Sequence, residues 1–148
     1  MHSRLRSLVA GLVLAVAASS AQVVDDFSQG GWVPFSATPG RCVAEPGKLT
    51  LEDAKGAPEW MTVSKTFTVD LERTPLFMVS VAALSDHGQV KLIRNEPYDK
   101  REAFSIDRPG LYTVDMRRQF GWTGVVAVEV CLYAIGDAES ITYEYVKL

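Results

Sequence analysis

The side chains able to carry chemistry in this sequence are few, and the aromatic ones stand out. Trp60 heads the stretch WMTVSKTFTVD, where its parity companions Thr62, Ser64, Thr66 and Thr68 are all polar, so it is expected on an exposed strand face. Tyr133 shares a parity with Cys131, Glu129 and Ala127, opposite a run of valines. Tyr98 and Trp122 fall in or beside loops. Flat aromatic faces of this kind stack on pyranose rings, and a few neighbouring polar groups then orient the sugar hydroxyls. Asp86, His87, Arg94 and Arg117, in or near turns, are candidates for that polar role, because loops at one end of a fold often carry binding. The alternative for each polar residue is a solvated turn. For Trp122, as for Trp32, it is a plug capping one end of the core.

Catalytic chemistry finds little support. Of the two histidines, His2 sits in the N-terminal leader, which leaves His87 alone. No serine lies in a G-x-S-x-G elbow and no H-E-x-x-H occurs. One histidine and two distant cysteines make neither a zinc centre nor a Cys-His nucleophile. A paired-carboxylate glycosidase stays open in principle, since its acids need only proximity in space. Short loops leave little room for a deep cleft, and the expectation is a protein that is not an enzyme.

The elements that would position these residues read as β-strands. Met61, Val63, Phe67, Val69 and Leu71 alternate with the polar set around Trp60, the pattern of a strand with one face on a core. Leu76 to Leu84 is almost continuously apolar, as suits a strand near the middle of a sandwich. Arg41 to Glu45 and Lys48 to Glu52 form an expected hairpin about Pro46-Gly47. Val126, Val128, Val130 and Leu132 define another regular strand. About ten short strands, separated by turn signals and with no convincing helix, predict an all-β, two-sheet antiparallel sandwich rather than a membrane barrel. One break in parity matters. Ile141 and Tyr143 agree with each other, but Val146 and Leu148 need the opposite phase, which a β-bulge near Glu144 would reconcile.

The first residues belong outside this fold. Arg4 and Arg6, an apolar run from Leu8 to Ala17 and small residues ending in Ser19-Ser20-Ala21 read as a signal peptide over residues 1–21. The apolar run is about half of the roughly 20 residues a membrane span needs. Residues 22–148 would then form one domain, secreted or periplasmic, without stable membrane insertion. The 148-residue chain carries a net charge of −3 and lacks a basic run, so no footprint for nucleic acid is present. Export would place Cys42 and Cys131 in an oxidising compartment, where a disulfide between them could contribute roughly 4–5 kcal/mol. The alternative is two separate, half-buried thiols.

DDFSQGGW near the start, LYTVDMRRQFGWTG in the middle and the closing ITYEYVKL resemble the galactose-binding-like jelly roll of bacterial carbohydrate-binding modules. The resemblance spans most of residues 22–148 and rests on strand rhythm with a few anchors. It implies a jelly-roll sandwich that binds a glycan or polysaccharide through Trp60, Tyr98, Trp122, Tyr133, His87 and Arg94. It also implies a structural calcium where first and last strands meet, held by Asp25 or Asp26 together with Glu144. Exposed edge-strand charge is the other reading of those three acids. Because the fold is reused for protein contacts, a structural or protein-interaction module of the cell envelope or of an exported assembly is the alternative function.

Overall fold

The computed structural model describes residues 22–35, 40–54, 60–136 and 139–148; the segment read as a signal peptide lies outside them. Two antiparallel sheets face each other across a single core. The first contains β1 (Val24–Asp25), β3 (Gly40–Glu45), β4 (Lys48–Asp53), β6 (Leu76–Leu84), β9 (Gly110–Asp115) and β11 (Ser140–Lys147). Its order is β3-β4-β11-β6-β9, with β1 added against the end of β11. The second runs β2-β5-β10-β7-β8, with β2 at Val33–Pro34, β5 at Trp60–Asp70, β10 at Val125–Ile135, β7 at His87–Arg94 and β8 at Asp99–Ile106. The architecture is the expected all-β jelly-roll sandwich.

Alternation decides which side of each strand is buried. On β5, Met61, Val63, Phe67 and Val69 point into the core, and Leu71 follows them. Val128, Val130, Leu132 and Ala134 do the same from β10. Leu49, Leu51, Phe77, Val79, Val81 and Ile141 meet them from the first sheet. Burial of each such side chain is worth about 1.5–3 kcal/mol relative to exposure, so register is strongly fixed wherever one face is covered. Lys65 is the one charged residue on the inward parity of β5.

The bulge falls where parity required it. Tyr143 pairs with Val81 and Tyr145 with Ser80, so Glu144 is the extra residue and stands exposed. Ile141 and Tyr143 before it, and Val146 and Leu148 after it, are therefore all buried. The Tyr143 hydroxyl donates to the Tyr133 carbonyl at 2.7 Å, and complete burial pushes its pKa far upward. Beside this hydroxyl β7 passes closely: a Cβ at Gly88 would lie 2.3 Å from Ile141 Cδ1, which would have to shift, and 3.3 Å from the Tyr133 carbonyl and Tyr143 hydroxyl oxygens.

Two expectations are corrected. The sequence pattern predicts no helix, yet β9 ends at Asp115 and a short helix α1 (Met116–Phe120) follows. Asp115 caps it by accepting the Arg118 N–H at 2.9 Å, and Gly121 closes it in the left-handed region at φ 70°. Cys42 and Cys131 are both free thiols. Cys42 lies on β3 of the first sheet, whereas Cys131 sits on the outward parity of β10, between the inward-facing Val130 and Leu132, so its sulfur points away from the other sheet. That orientation is incompatible with a bridge.

Candidate functional site

The outer face of the second sheet gathers the outward parities of four adjacent strands. Cross-strand register places Trp60 beside Ile135 and His87, Thr62 beside Tyr133 and Gln89, and Ser64 beside Cys131 and Lys91. One row further on, Thr66, Glu129, Ile93 and Lys100 line up across the sheet. Phe35, just after β2, donates its N–H to the Thr62 carbonyl at 3.1 Å, which sets its ring at the margin of the same face.

The aromatic side chains form a continuous wall. The Phe35 and Trp60 ring centroids are 5.9 Å apart with an interplanar angle of 32°, and Trp60 and Tyr133 are again 5.9 Å apart at 52°. Lys91 Nζ lies 5.0 Å from the Tyr133 ring centroid, a cation–π contact. Beside this wall runs a groove in two parts. One, of about 210 Å³, is lined by Phe35, Trp60, Thr62, Ser64, Ile93, Lys100, Glu129, Cys131 and Tyr133. The other, of about 370 Å³, is lined by Trp60 and Tyr133 together with Gln89, Lys91, Lys100 and Ile135. Burial pushes the Cys131 thiol up to about 11, with the Glu129 charge adding to it. The Tyr133 hydroxyl is also raised, chiefly by burial, with smaller contributions from Cys131, Glu129 and Tyr98.

Of the six side chains expected to meet a sugar, the fold brings Trp60 and Tyr133 into contact and sets His87 at the end of their row. His87 Nδ1 lies 2.6 Å from the neighbouring Asp86 carboxylate. Tyr98 is 70% exposed at the β7–β8 turn. Trp122 and Arg94 lie elsewhere. Trp122 is fully buried, its Nε1–H donating to Asp99 Oδ2 at 2.8 Å, and it is the core plug of the alternative reading. Arg94 lies over that indole at 5.4 Å and donates to the Pro97 carbonyl. The Trp122 bond is the main reason the Asp99 carboxyl is held below its usual range. Arg117, at α1, pairs with Glu72 at 3.0 Å. Sequence reasoning missed Phe35, Gln89, Lys91, Ile93 and Lys100. Alternation along β7 could have flagged Gln89, Lys91 and Ile93, whose partners Val90 and Leu92 are buried.

The three acids expected around a calcium ion do not fit one. Asp25 is buried and already committed. Its Oδ2 accepts Lys65 Nζ at 2.5 Å, and its Oδ1 accepts the Phe27 N–H at 2.8 Å and Trp32 Nε1–H at 3.4 Å. Lys65 also donates to the Gly30 carbonyl at 2.7 Å. An ammonium thus occupies the place beside Asp25 that a cation would need. Asp26 turns instead to Ser28, whose hydroxyl and N–H hold its carboxyl below the ordinary range. Glu144, out on the bulge, accepts the Ser80 hydroxyl. Among the described residues no group of three or more His, Cys, Asp or Glu is placed to hold a metal. No helix among them is long and apolar enough to cross a membrane.

No protein-family model matches the chain, and a search of curated proteins finds no match. Solved structures do match it. A low affinity xylan binding module, CBM86, from the gut symbiont Roseburia intestinalis aligns with a TM-score of 0.58 and 12% identity, over 86% of this chain and 93% of that one. A mutant of a family 29 carbohydrate binding module gives 0.56 and 11%, over 85% and 89%. A second family 29 mutant, complexed with cellulohexaose, gives 0.55 and 9%, over 84% and 89%. At these identities the likeness concerns the fold, and the fold of this chain is that of the carbohydrate-binding jelly rolls.

Proposed function

We propose that this protein is an exported, non-catalytic glycan-binding module whose ligand lies along the outer face of the five-stranded sheet. The observation that carries the reading is the aromatic wall of Phe35, Trp60 and Tyr133 beside a groove lined with polar groups. Sugars present apolar ring faces and a rim of hydroxyls, and this site offers matching surfaces to both. Lys91 already covers a face of Tyr133, so Trp60 is the stacking platform. Thr62, Ser64, Gln89 and Glu129 supply hydroxyl-bonding groups around it. Glu129 is the one carboxylate lining the groove among the described residues, whereas carboxylate-based glycoside hydrolysis needs two flanking the scissile bond. The signal-peptide pattern of residues 1–21 supports export.

The fold of this chain is also that of modules whose names state carbohydrate binding. Affinity electrophoresis of residues 22–148 through gels containing xylan, glucomannan, cellulose derivatives or acidic polysaccharides tests the proposal. Retardation that disappears in Trp60→Ala supports it, and free migration in every gel overturns it. A second reading, a protein-docking face, draws on the exposed Val33 and Phe35 at the margin of the groove, 62% and 55% accessible. It gains if no polysaccharide retards the protein while a partner pulled down by the wild type is lost in Phe35→Ser.

A further inference from the structure

The charge distribution in the groove narrows its ligand. The larger part, about 370 Å³, is lined by Trp60, Gln89, Lys91, Lys100, Tyr133 and Ile135. Two lysines therefore line it and no acidic residue does. Neither has a carboxylate within 4.0 Å among the described residues; Lys48, Arg118 and Lys147 share that state, but they do not line this groove, whereas Lys65, Arg41, Arg73, Arg94, Arg101, Arg108 and Arg117 are all paired. The polar contact of Lys91 is the Tyr133 ring, which holds the side chain over the sheet. In a chain of net charge −3, two lysines outside any ion pair lining one groove run against the overall balance.

Three acids share this face, Asp70 at its far end opposite Val125 and two nearer the groove, whose positions matter. Glu129 lines the smaller part of the groove, and Glu102 sits on the edge strand in register with Lys91; neither lines the larger part. A ligand stacked on Trp60 would thus present hydroxyls toward Glu129 and negative charge toward Lys91 and Lys100. Resting on the glycan reading above, we infer that the groove takes an acidic glycan, one whose sugar rings carry carboxylate or sulfate groups. Trp60 supplies the stacking surface, and the two lysines supply selection over neutral sugars of the same shape. Such pairs, with Lys91 half-buried and Lys100 exposed, are worth about two- to fivefold in affinity each and weaken as salt screens them.

The test measures binding of residues 22–148 to polygalacturonate, chondroitin sulfate, neutral arabinoxylan and glucomannan, at low and high sodium chloride. Wild type is compared with Lys91→Gln, Lys100→Gln and Trp60→Ala, with unchanged Tm confirming that each lysine variant is folded. The expected result is tighter binding to an acidic polymer, weakened by salt, about two- to fivefold weaker in each lysine variant and lost in Trp60→Ala. Preference for polygalacturonate identifies a carboxylate sugar, and preference for chondroitin sulfate a sulfated one. Equal, salt-insensitive binding of neutral and acidic polymers overturns this inference and leaves the glycan reading standing. So does an acid preference that survives both lysine changes. Acidic binding indifferent to Trp60→Ala is plain ion exchange and also overturns it. Binding to none of the four overturns both.

Discussion

Lys65 Nζ lies 2.5 Å from Asp25 Oδ2, and that bond crosses from one sheet of the sandwich to the other. Asp25 belongs to β1, added to the first sheet; Lys65 comes from the inner face of β5 in the second. The pair also anchors the turn between them, through Lys65 to Gly30 and through Asp25 to the N–H of Phe27. Phe27 adopts φ 70°, uncommon for a residue with a side chain, and its ring packs 5.4 Å from Trp32. Removing the ammonium leaves a buried carboxylate with only neutral donors. Lys65→Met is expected to cost about 3 kcal/mol, a Tm lower by roughly 10 °C. Asp25→Asn combined with Lys65→Met should cost less than the two changes summed, because the stranded charge is gone. An unchanged Tm in Lys65→Met refutes this account.

Since the lysine already compensates Asp25, added calcium should have nothing to stabilise there. Thermal unfolding in millimolar calcium chloride and in EDTA is expected to give the same Tm. A calcium-dependent rise, which ligand linkage would produce on binding to the folded state, would show a cation site elsewhere or displacement of Lys65.

Trp60 and Trp122 should separate cleanly by assay. Trp122→Ala empties a fully buried site and is expected to lose about 3–5 kcal/mol of stability. Under conditions where it stays folded, it keeps glycan binding. Trp60→Ala is expected to do the reverse, losing polysaccharide retardation with a much smaller fall in Tm. Loss of binding in folded Trp122→Ala would contradict the placement of the ligand on the outer face.

Thiol chemistry offers a pH test. With burial pushing Cys131 up to about 11, its thiolate is scarce at pH 8, and alkylation there should be slow until the protein is unfolded. Mass spectrometry under non-reducing conditions should find two free thiols, and dithiothreitol should leave Tm unmoved. The sign of the linkage follows from the raised value. The folded state holds its proton more tightly than the unfolded thiol, whose ordinary value is 9.0, so stability is complete below pH 9 and declines toward about 11. Tyr143, raised further, extends the decline upward from pH 10. A Tm flat from pH 8 to 11 would exclude this effect.

Deleting Glu144 should be far more damaging than changing it to alanine. Alanine loses the Ser80 contact and keeps the extra residue. Deletion swaps the parity of Val146 and Leu148 and turns both outward, at about 1.5–3 kcal/mol each. Urea unfolding of the two variants compares them directly.

Much of this was legible along single strands. Parity on β5 set Trp60 outward and Met61, Val63, Phe67 and Val69 inward, and the phase conflict between Tyr143 and Val146 located the bulge at Glu144. Legibility failed where the answer depended on which strands are neighbours. That Tyr133 meets Trp60, and that Lys91 and Lys100 line the same groove, follows from the strand order β5-β10-β7-β8, a non-local pairing that periodicity does not encode. Trp122 and Arg94 misled because a loop position or strand end can turn inward, and here each supplies the other's cover. Asp25 read as a cation ligand because its charge was visible in the sequence and its partner, forty residues on at Lys65, was not.

The backbone bonds between Val23 and Leu148, 2.8 and 2.9 Å long, join the points where the chain enters and leaves the sandwich. They lie at the end that β10 enters at Val125, opposite the end where Ile135 meets Trp60. Tension applied through both would load β1 and β11 as a zipper, opening hydrogen bonds one after another rather than shearing a whole ladder together. The fold should therefore yield at low force when stretched from its two ends. A tether attached at one end alone would instead leave the sandwich intact, with the aromatic face at the far side of the molecule, free to lie flat on a surface.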